Sequence, residues 1–126
     1  MKTKLYARLA SLLASATRCD ETGNEEWGTR HRQTMRDLVK EHMPSGSGFD
    51  TGTTMDEDAS TPEKLVFNTS YHHMDEHGGY DGWTEHDVTV LPSLAYGFMV
   101  EVSGEDRNDT NDYIAETFDH CLSTEA

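Results

Sequence analysis

Hydrophobic residues recur at helical spacing before Pro44 and at every second position after Leu65. A period of about 3.6 residues predicts amphipathic helices, and a period of two predicts strands that bury one face. The two patterns occupy separate parts of the chain, and the links between the strands are short. The sequence therefore predicts an α+β fold with an antiparallel sheet.

Two helices are predicted before the strands. The first covers 3–17 and places its leucines on one face. Asn24 is a suitable N-cap for the second helix, which Pro44 ends. A short polar link joins them, so residues 1–43 are predicted to form a helical hairpin. The second helix is predicted to carry a core-facing stripe with two histidines at its edge: Trp27, His31, Met35, Leu38, Val39 and His42.

Residues after Pro44 divide into a loop, a group of strands and a last helix. Gly, Ser, Thr and Asp dominate 44–61, which is predicted to be a long loop and therefore either functional or disordered. Residues 62–103 are predicted to form a three-stranded antiparallel meander, with the helices covering one face. Asn108 or Asp109 is expected to cap the last helix, over 108–122. The expected order of elements is ααβββα.

The composition limits the core and sets the surface charge. The chain has 126 residues, enough for the one domain predicted over 1–126, and only 34% of them are hydrophobic, which predicts a thin core. The formal net charge of −14 argues against direct binding to nucleic acid and favours a partner with a basic surface. Residues 1–40 hold eight Lys and Arg against five acids (+3), and residues 41–126 hold two against nineteen (−17).

Three observations bear on the compartment of the protein. No apolar run approaches the length of about eighteen residues that suggests a membrane span, so no membrane association is expected. The leucine-rich start, 1–16, is interpreted as an amphipathic helix rather than a signal peptide because Arg8 interrupts it. Cys19 and Cys121 are too few for a disulfide framework and favour a reducing cytosol, although the sequence leaves their pairing open.

The most polar segment is the predicted hairpin around the turn at 75–82, which carries four of the seven histidines. Neutral imidazoles that converge on one point bind divalent metals. His72 and His86 lie near the ends of strands expected to pair, and His77 lies in the turn between them. These three residues are the predicted metal ligands, although their spacing matches no standard motif. The alternative interpretation is a polar hairpin with surface histidines.

Aromatic residues near the long loop and the hairpin suggest a second kind of site. Aromatic anchors inside an acidic rim are typical of protein–protein interfaces. The predicted interface consists of Phe49, Tyr80, Trp83, Asp81 and Glu85. Core packing is the alternative for some of these aromatic residues.

Motifs for catalysis and phosphate binding are absent from the sequence. Ser45 and Ser47 lack the frame of a nucleophile elbow, so no catalytic residues are predicted and an enzymatic function is not favoured. The glycines at 46 and 48 follow a helix, whereas a phosphate cradle precedes one. A small ligand such as a nucleotide is therefore kept only as a further alternative, and no cofactor is predicted apart from the divalent metal above.

Four segments resemble a group of uncharacterised small proteins that bacteriophages, prophages and other mobile elements encode. The segments are EHMPSGSGFDTGT, STPEKLVFNTSYHHMDEHGGYDGWTEHDVTV, PSLAYGF and SGEDRNDTNDYI, and the resemblance covers about residues 35–120. It implies an origin in a mobile element and a location in the cytoplasm of a bacterial host. It assigns no functional residues.

The favoured hypothesis is an acidic accessory protein that binds and modulates a host protein. Such a protein acts in host takeover or in evasion of defence, as an inhibitor of the anti-CRISPR kind does, and an acidic face is suited to compete with nucleic acid for a basic groove. The alternatives are a metal-binding or metal-dependent hydrolytic module and a small-ligand protein. A homodimer through the free sheet edges is compatible with all three.

Overall fold

The computed structural model describes residues 3–126, so Met1 and Lys2 of the predicted helical hairpin lie outside the described part. The α+β class and the antiparallel meander are confirmed, but the order is ααββββα, with a fourth strand and a short 3₁₀ turn at Arg107–Asp109. The helices are α1 (Leu5–Thr22), α2 (Glu25–His42) and α3 (Thr110–Ser123). The strands are β1 (Thr53–Met55), β2 (Leu65–Met74), β3 (Tyr80–Ser93) and β4 (Gly97–Val102).

The two N-terminal helices form the predicted hairpin. Gly23, in a left-handed conformation, ends α1, and Asn24 caps α2 by accepting a hydrogen bond from the Trp27 amide at 3.4 Å. The core-facing stripe of α2 begins at Met35 and not at Trp27, whose side chain is 49% exposed. The Arg30 guanidinium lies 4.9 Å above the Trp27 ring, so a cation and not the core covers this indole.

The long predicted loop over 44–61 contains the additional strand, β1. Its three residues pair antiparallel with β2, where Thr53 lies opposite Thr69. Thr53 also donates a hydrogen bond from its hydroxyl to the Pro44 carbonyl at 2.8 Å, which anchors the strand to the end of α2. A strand this short has no detectable period, so the sequence pattern does not predict it.

The sheet has the order β1-β2-β3-β4 and buries one face against the helices. Alternate residues of the strands point to this inner face, as the paired Leu65 and Val90 illustrate. The core combines that face with the apolar stripes of all three helices. Its fully buried side chains include Leu5, Leu9, Met35, Leu65, Phe67, Val88, Val90, Ile114, Phe118 and Leu122.

The start of α3 differs from its predicted form. Asn108 and Asp109 both adopt left-handed backbone conformations, and Asp109 provides no side-chain cap. Asp106 takes this role instead, because its carboxylate accepts a hydrogen bond from the Asn111 amide at 2.9 Å. The 3₁₀ turn thus displaces the capping residue upstream of the predicted position.

Two findings concern the compartment predictions. Within residues 3–126, every helix is too short or too polar to cross a bilayer. Cys19 and Cys121 are both free thiols. Burial raises the pKa of the Cys121 thiol, which lowers the fraction present as reactive thiolate.

Candidate functional site

The candidate site is the outer face of the sheet, which we define as the face turned away from the helices. The helices cover only the inner face, so the outer face consists of the alternate strand residues with the opposite orientation. Its members include Thr54, Val66, Asn68, Ser70, His72, Met74, Tyr80, Trp83, Glu85, Asp87, Thr89, Leu91, Met99 and Glu101.

A β-bulge in β3 shapes one end of this face. His72 pairs with Trp83, but Met74 pairs with Tyr80, so β3 has one residue more than β2 between these two pairs. Gly82 lies in the bulge with a φ of 85°, a conformation that glycine adopts without strain. Strict alternation would place Tyr80 and Trp83 on opposite faces, and the extra residue brings them to the same one.

The bulge creates an exposed apolar cluster at the hairpin end of the outer face. Met74, Tyr80 and Trp83 are 68%, 62% and 57% exposed. The His72 ring lies 5.6 Å from the Tyr80 ring, and its Nδ1 lies 3.5 Å from an Asp50 carboxylate oxygen. We call Met74, Tyr80 and Trp83 the apolar cluster.

Beyond the apolar cluster the outer face is acidic. Glu85, Asp87 and Glu101 are exposed on β3 and β4. None of the four strands contains a lysine or an arginine, so no cation of the sheet offsets these carboxylates. Asp87 accepts a hydrogen bond from the Asn68 amide at 2.6 Å, which fixes its position across the strand pair. A groove of about 360 Å³ runs beside Glu85 and Asp87.

A chain of buried hydrogen bonds lies on the inner side of the same strands. His86 Nδ1 donates to the Ser103 carbonyl at 3.1 Å, because a carbonyl can only accept. In neutral His86 the other ring nitrogen then accepts from the Thr84 hydroxyl at 2.6 Å. The Thr84 oxygen accepts in turn from His73 Nε2 at 2.9 Å. The chain fixes β2 against β3 directly behind the apolar cluster.

The electrostatic surroundings keep His73 neutral. Burial lowers the pKa of His73, and the charge of Arg107 and the neighbouring His86 lower it further. Glu105 and Asp81 act in the opposite direction with a smaller effect. The hydrogen-bond chain requires a proton on His73 Nε2, which the neutral Nε2–H tautomer supplies.

Arg107 fastens the bulge to the turn that precedes α3. Its guanidinium donates to the Asp81 carbonyl at 2.8 Å and also forms an ion pair with the Asp81 carboxylate. Asp81 was predicted as an interface acid, but this pairing occupies its carboxylate. One of only two cations beyond residue 40 is thereby used inside the molecule.

The predicted convergence of the three histidine ligands does not occur. His72 lies on the outer face, whereas His86 is 2% exposed on the inner face and bonded to Thr84 and Ser103. The His77 side chain is 85% exposed in the turn. Strand alternation separates the first two residues, and within residues 3–126 no group of three His, Cys, Asp or Glu side chains is arranged to hold a metal ion.

The predicted interface residues are partly brought together. Tyr80, Trp83 and Glu85 share the outer face and are exposed. Phe49, by contrast, is 3% exposed and packs edge-on against Tyr71 with ring centroids 5.1 Å apart, so it belongs to the core.

Sequence reasoning missed Met74, Asp87, Met99 and Glu101 as members of the outer face. Asp87 precedes the buried Val88, and Glu101 lies between the partly buried Val100 and Val102, so this alternation could have identified them. The glycine between Asp81 and Trp83 was the available signal for the bulge, since an isolated glycine in a strand often marks one.

The comparisons with known proteins give no further guidance on this face. No protein-family model, curated protein or solved structure matches the chain.

Proposed function

We propose that this chain is an acidic accessory protein of a bacteriophage or mobile element that binds a basic surface of a host protein through the outer face. Binding occupies that surface and competes with nucleic acid for it. The resemblance of residues 35–120 to proteins of mobile elements supports the origin, and the outer face supports the mode of binding.

The observation that carries the proposal is the combination, on one face, of exposed aromatic residues and of acids without an ion pair to any residue of 3–126. Tyr80 and Trp83 are large and exposed, and both are types of residue that dominate binding energy at interfaces. Glu85 and Glu101 add negative charge to a face without lysine or arginine. Aromatic anchors provide affinity, while the carboxylates steer a basic partner and fix its register.

The acidic face resembles a nucleic-acid backbone in its charge. A protein that binds DNA or RNA neutralises phosphates with lysine and arginine, and the same side chains can pair with carboxylates. Binding of this chain should therefore weaken as salt is raised and should displace an oligonucleotide from the partner.

The test is affinity capture from a bacterial lysate with the purified chain at 50 mM and 500 mM NaCl. We expect a basic, nucleic-acid-binding protein to be retained at low salt and released at high salt. The double variant Glu85→Lys/Glu101→Lys should fail to retain it, and so should Trp83→Ala. The purified partner should then lose a bound oligonucleotide when wild-type protein is added.

The matched control reverses two charges on the helices instead. Glu21 and Glu116 are exposed on α1 and α3, and Glu21→Lys/Glu116→Lys changes the net charge by the same amount. This variant should retain the partner. Equal loss of binding in both double variants would indicate a general charge effect, and unchanged binding in the outer-face variant would contradict the proposal.

A further inference from the structure

The edge strand β1 directs backbone hydrogen-bonding groups away from the sheet. The Asp56 amide donates to the Val66 carbonyl at 2.8 Å, which fixes the alternation of the ladder. Thr54 then bonds to β2, while Thr53 and Met55 turn their N–H and C=O groups to the other side. β1 is the first strand in the sheet order, so no strand of the described chain pairs with that side.

Helix α2 runs antiparallel beside this free edge. Pro44, just after α2, accepts the hydrogen bond from Thr53 near the start of β1. At the other end, Arg36 Nε lies 2.8 Å from a Glu57 carboxylate oxygen. A groove of about 650 Å³ lies between these two contacts, bounded by α2 and β1.

The groove has an apolar part and one available cation. Val39 and Met43, each only 4% exposed, form its apolar floor, and the partly exposed Met55 lines it as well. Arg36 is paired with Glu57, whereas Lys40 is exposed and has no ion pair with any residue of 3–126. Asp50 also lines the groove, and one of its carboxylate oxygens lies 3.5 Å from His72 Nδ1. The groove therefore combines an edge for main-chain hydrogen bonds, an apolar floor and one cation, Lys40, without an ion-pair partner among residues 3–126.

We propose that this groove binds a short extended peptide with an acidic residue, which adds a strand to β1. The peptide backbone pairs with the outward groups of Thr53 and Met55, as in β-strand addition at other sheet edges. Its apolar side chains contact Met55 above the floor that Val39 and Met43 form, and its carboxylate pairs with Lys40. The stretch from Arg36 to Met43, the residue that follows α2, rises on the order of 10 Å, which matches about three extended residues.

Other occupants fit this groove less well. A small molecule leaves the alternating N–H and C=O groups of the edge without partners. The β1 of a second copy is flanked by its own α2, and the sequence Thr53-Thr54-Met55 offers no carboxylate to Lys40. An extended peptide of another protein satisfies the edge, the apolar surface and the charge together.

The experiment begins with selection of a phage-displayed library of random heptapeptides on the full chain. We expect a consensus in which apolar residues alternate and one acidic residue recurs. Lys40→Glu should weaken binding of a synthetic consensus peptide by about tenfold or more, the effect of losing one charge-assisted contact. The matched control Lys64→Glu reverses the charge of another exposed lysine and should leave the affinity within about twofold.

N-methylation of the same peptide tests the backbone pairing. A methyl group removes one N–H donor, so methylation of the residues that face β1 should abolish binding, whereas methylation of the alternate residues should have little effect. In NMR spectra the amides of Thr53 and Met55 should show the largest shifts. The groove lies apart from the outer face, so Glu85→Lys/Glu101→Lys should bind the peptide normally, which separates this proposal from the proposed function.

Four results would overturn the inference. The first is a selection that yields no consensus, and the second is a consensus peptide that binds Lys40→Glu as tightly as wild type. The third is binding that is insensitive to the position of N-methylation, which would mean recognition of side chains without strand addition. Shifts of Thr53 and Met55 that depend on protein concentration alone would assign the edge to a second copy.

Discussion

At the scale of single residues, the Thr84 hydroxyl lies between two buried histidines and determines which ring nitrogens must carry a proton. It donates to His86 and accepts from His73, so the direction of every hydrogen bond in the chain is set. Protonation of His73 adds a charge in a buried position close to Arg107. The environment therefore favours neutral His73, and the unfolded chain binds a proton more readily than the folded one.

This difference predicts a loss of stability in mild acid. The pKa of His73 in the folded protein lies below its ordinary value of 6.5. Above pH 6.5 both states are neutral at this residue, and as the pH falls below that value the unfolded state gains the proton first. The free energy of unfolding, measured by urea denaturation at several pH values, should therefore fall below pH 6.5.

His73→Gln is the variant that isolates this effect. Glutamine retains a donor toward Thr84 and does not titrate. Its free energy of unfolding should be lower than that of wild type at neutral pH but should change less between pH 6.5 and pH 5.5. An identical pH dependence in the two proteins would show that His73 does not titrate differently on folding.

At the scale of elements, the β2–β3 hairpin owes the composition of its outer face to one extra residue. Without the bulge at Gly82, Tyr80 and Trp83 would point to opposite faces. Arg107 then holds the bulge by binding Asp81 through its main chain and its side chain. The apolar cluster thus depends on a backbone conformation and on a contact from a distant turn.

Substitution of Gly82 tests this conformation. A Cβ at this position meets only the Arg107 side chain, at 3.6 Å, which is an ordinary contact. The cost of Gly82→Ala should therefore come from the left-handed backbone and amount to about 1–2 kcal/mol of unfolding free energy. Gly82→Asn should cost less, since asparagine tolerates this conformation better. Equal stability of the alanine variant and wild type would argue against the bulge.

The elements also show where sequence patterns succeed and where they fail. Sustained periods predicted α1, α2 and β2 because each element has enough residues to display one. β1 has three residues and is held by pairing with β2 and by the Pro44 carbonyl, so tertiary contacts determine it. The start of α3 was misplaced because Asn108 and Asp109 adopt left-handed conformations that suit a turn.

The candidate site was predictable only in part, for the same physical reason. The sequence predicts Tyr80, Trp83 and Glu85 as interface residues from their types and from their positions near the hairpin turn. It does not show on which face of the sheet each one lies. The separation of His72 from His86 follows from register, which depends on the whole hairpin. Phe49 looked like an exposed loop residue, but the loop folds back and packs its ring on Tyr71.

At the scale of the whole molecule, a buried aromatic contact links the helices to the sheet. Phe118 of α3 is fully buried and lies 5.8 Å from Phe67 of β2, so it joins the helical layer to the sheet. Phe118→Ala should lower the free energy of unfolding by about 3–5 kcal/mol, a large part of the 5–15 kcal/mol that is typical of such domains.

Urea denaturation gives the measurement for Phe118→Ala, with Glu116→Ala as the control. Glu116 lies on the same helix and is exposed, so its substitution should change stability by no more than about 0.5 kcal/mol. The midpoint for Phe118→Ala should fall while the slope stays constant. A loss below about 1 kcal/mol would mean that the interface between the layers relaxes around the cavity.

The separation of helices and strands into two layers also separates electric charge. Helices α1 and α2 hold six lysines and arginines against six acids, whereas the strands hold four acids and no cation. The molecule therefore has a dipole moment that runs from the sheet to the helical hairpin. The electric field of a positively charged surface exerts a torque on this dipole. The torque rotates the diffusing protein until its sheet faces that surface. Productive encounters then depend less on chance orientation, within the distance that salt leaves unscreened.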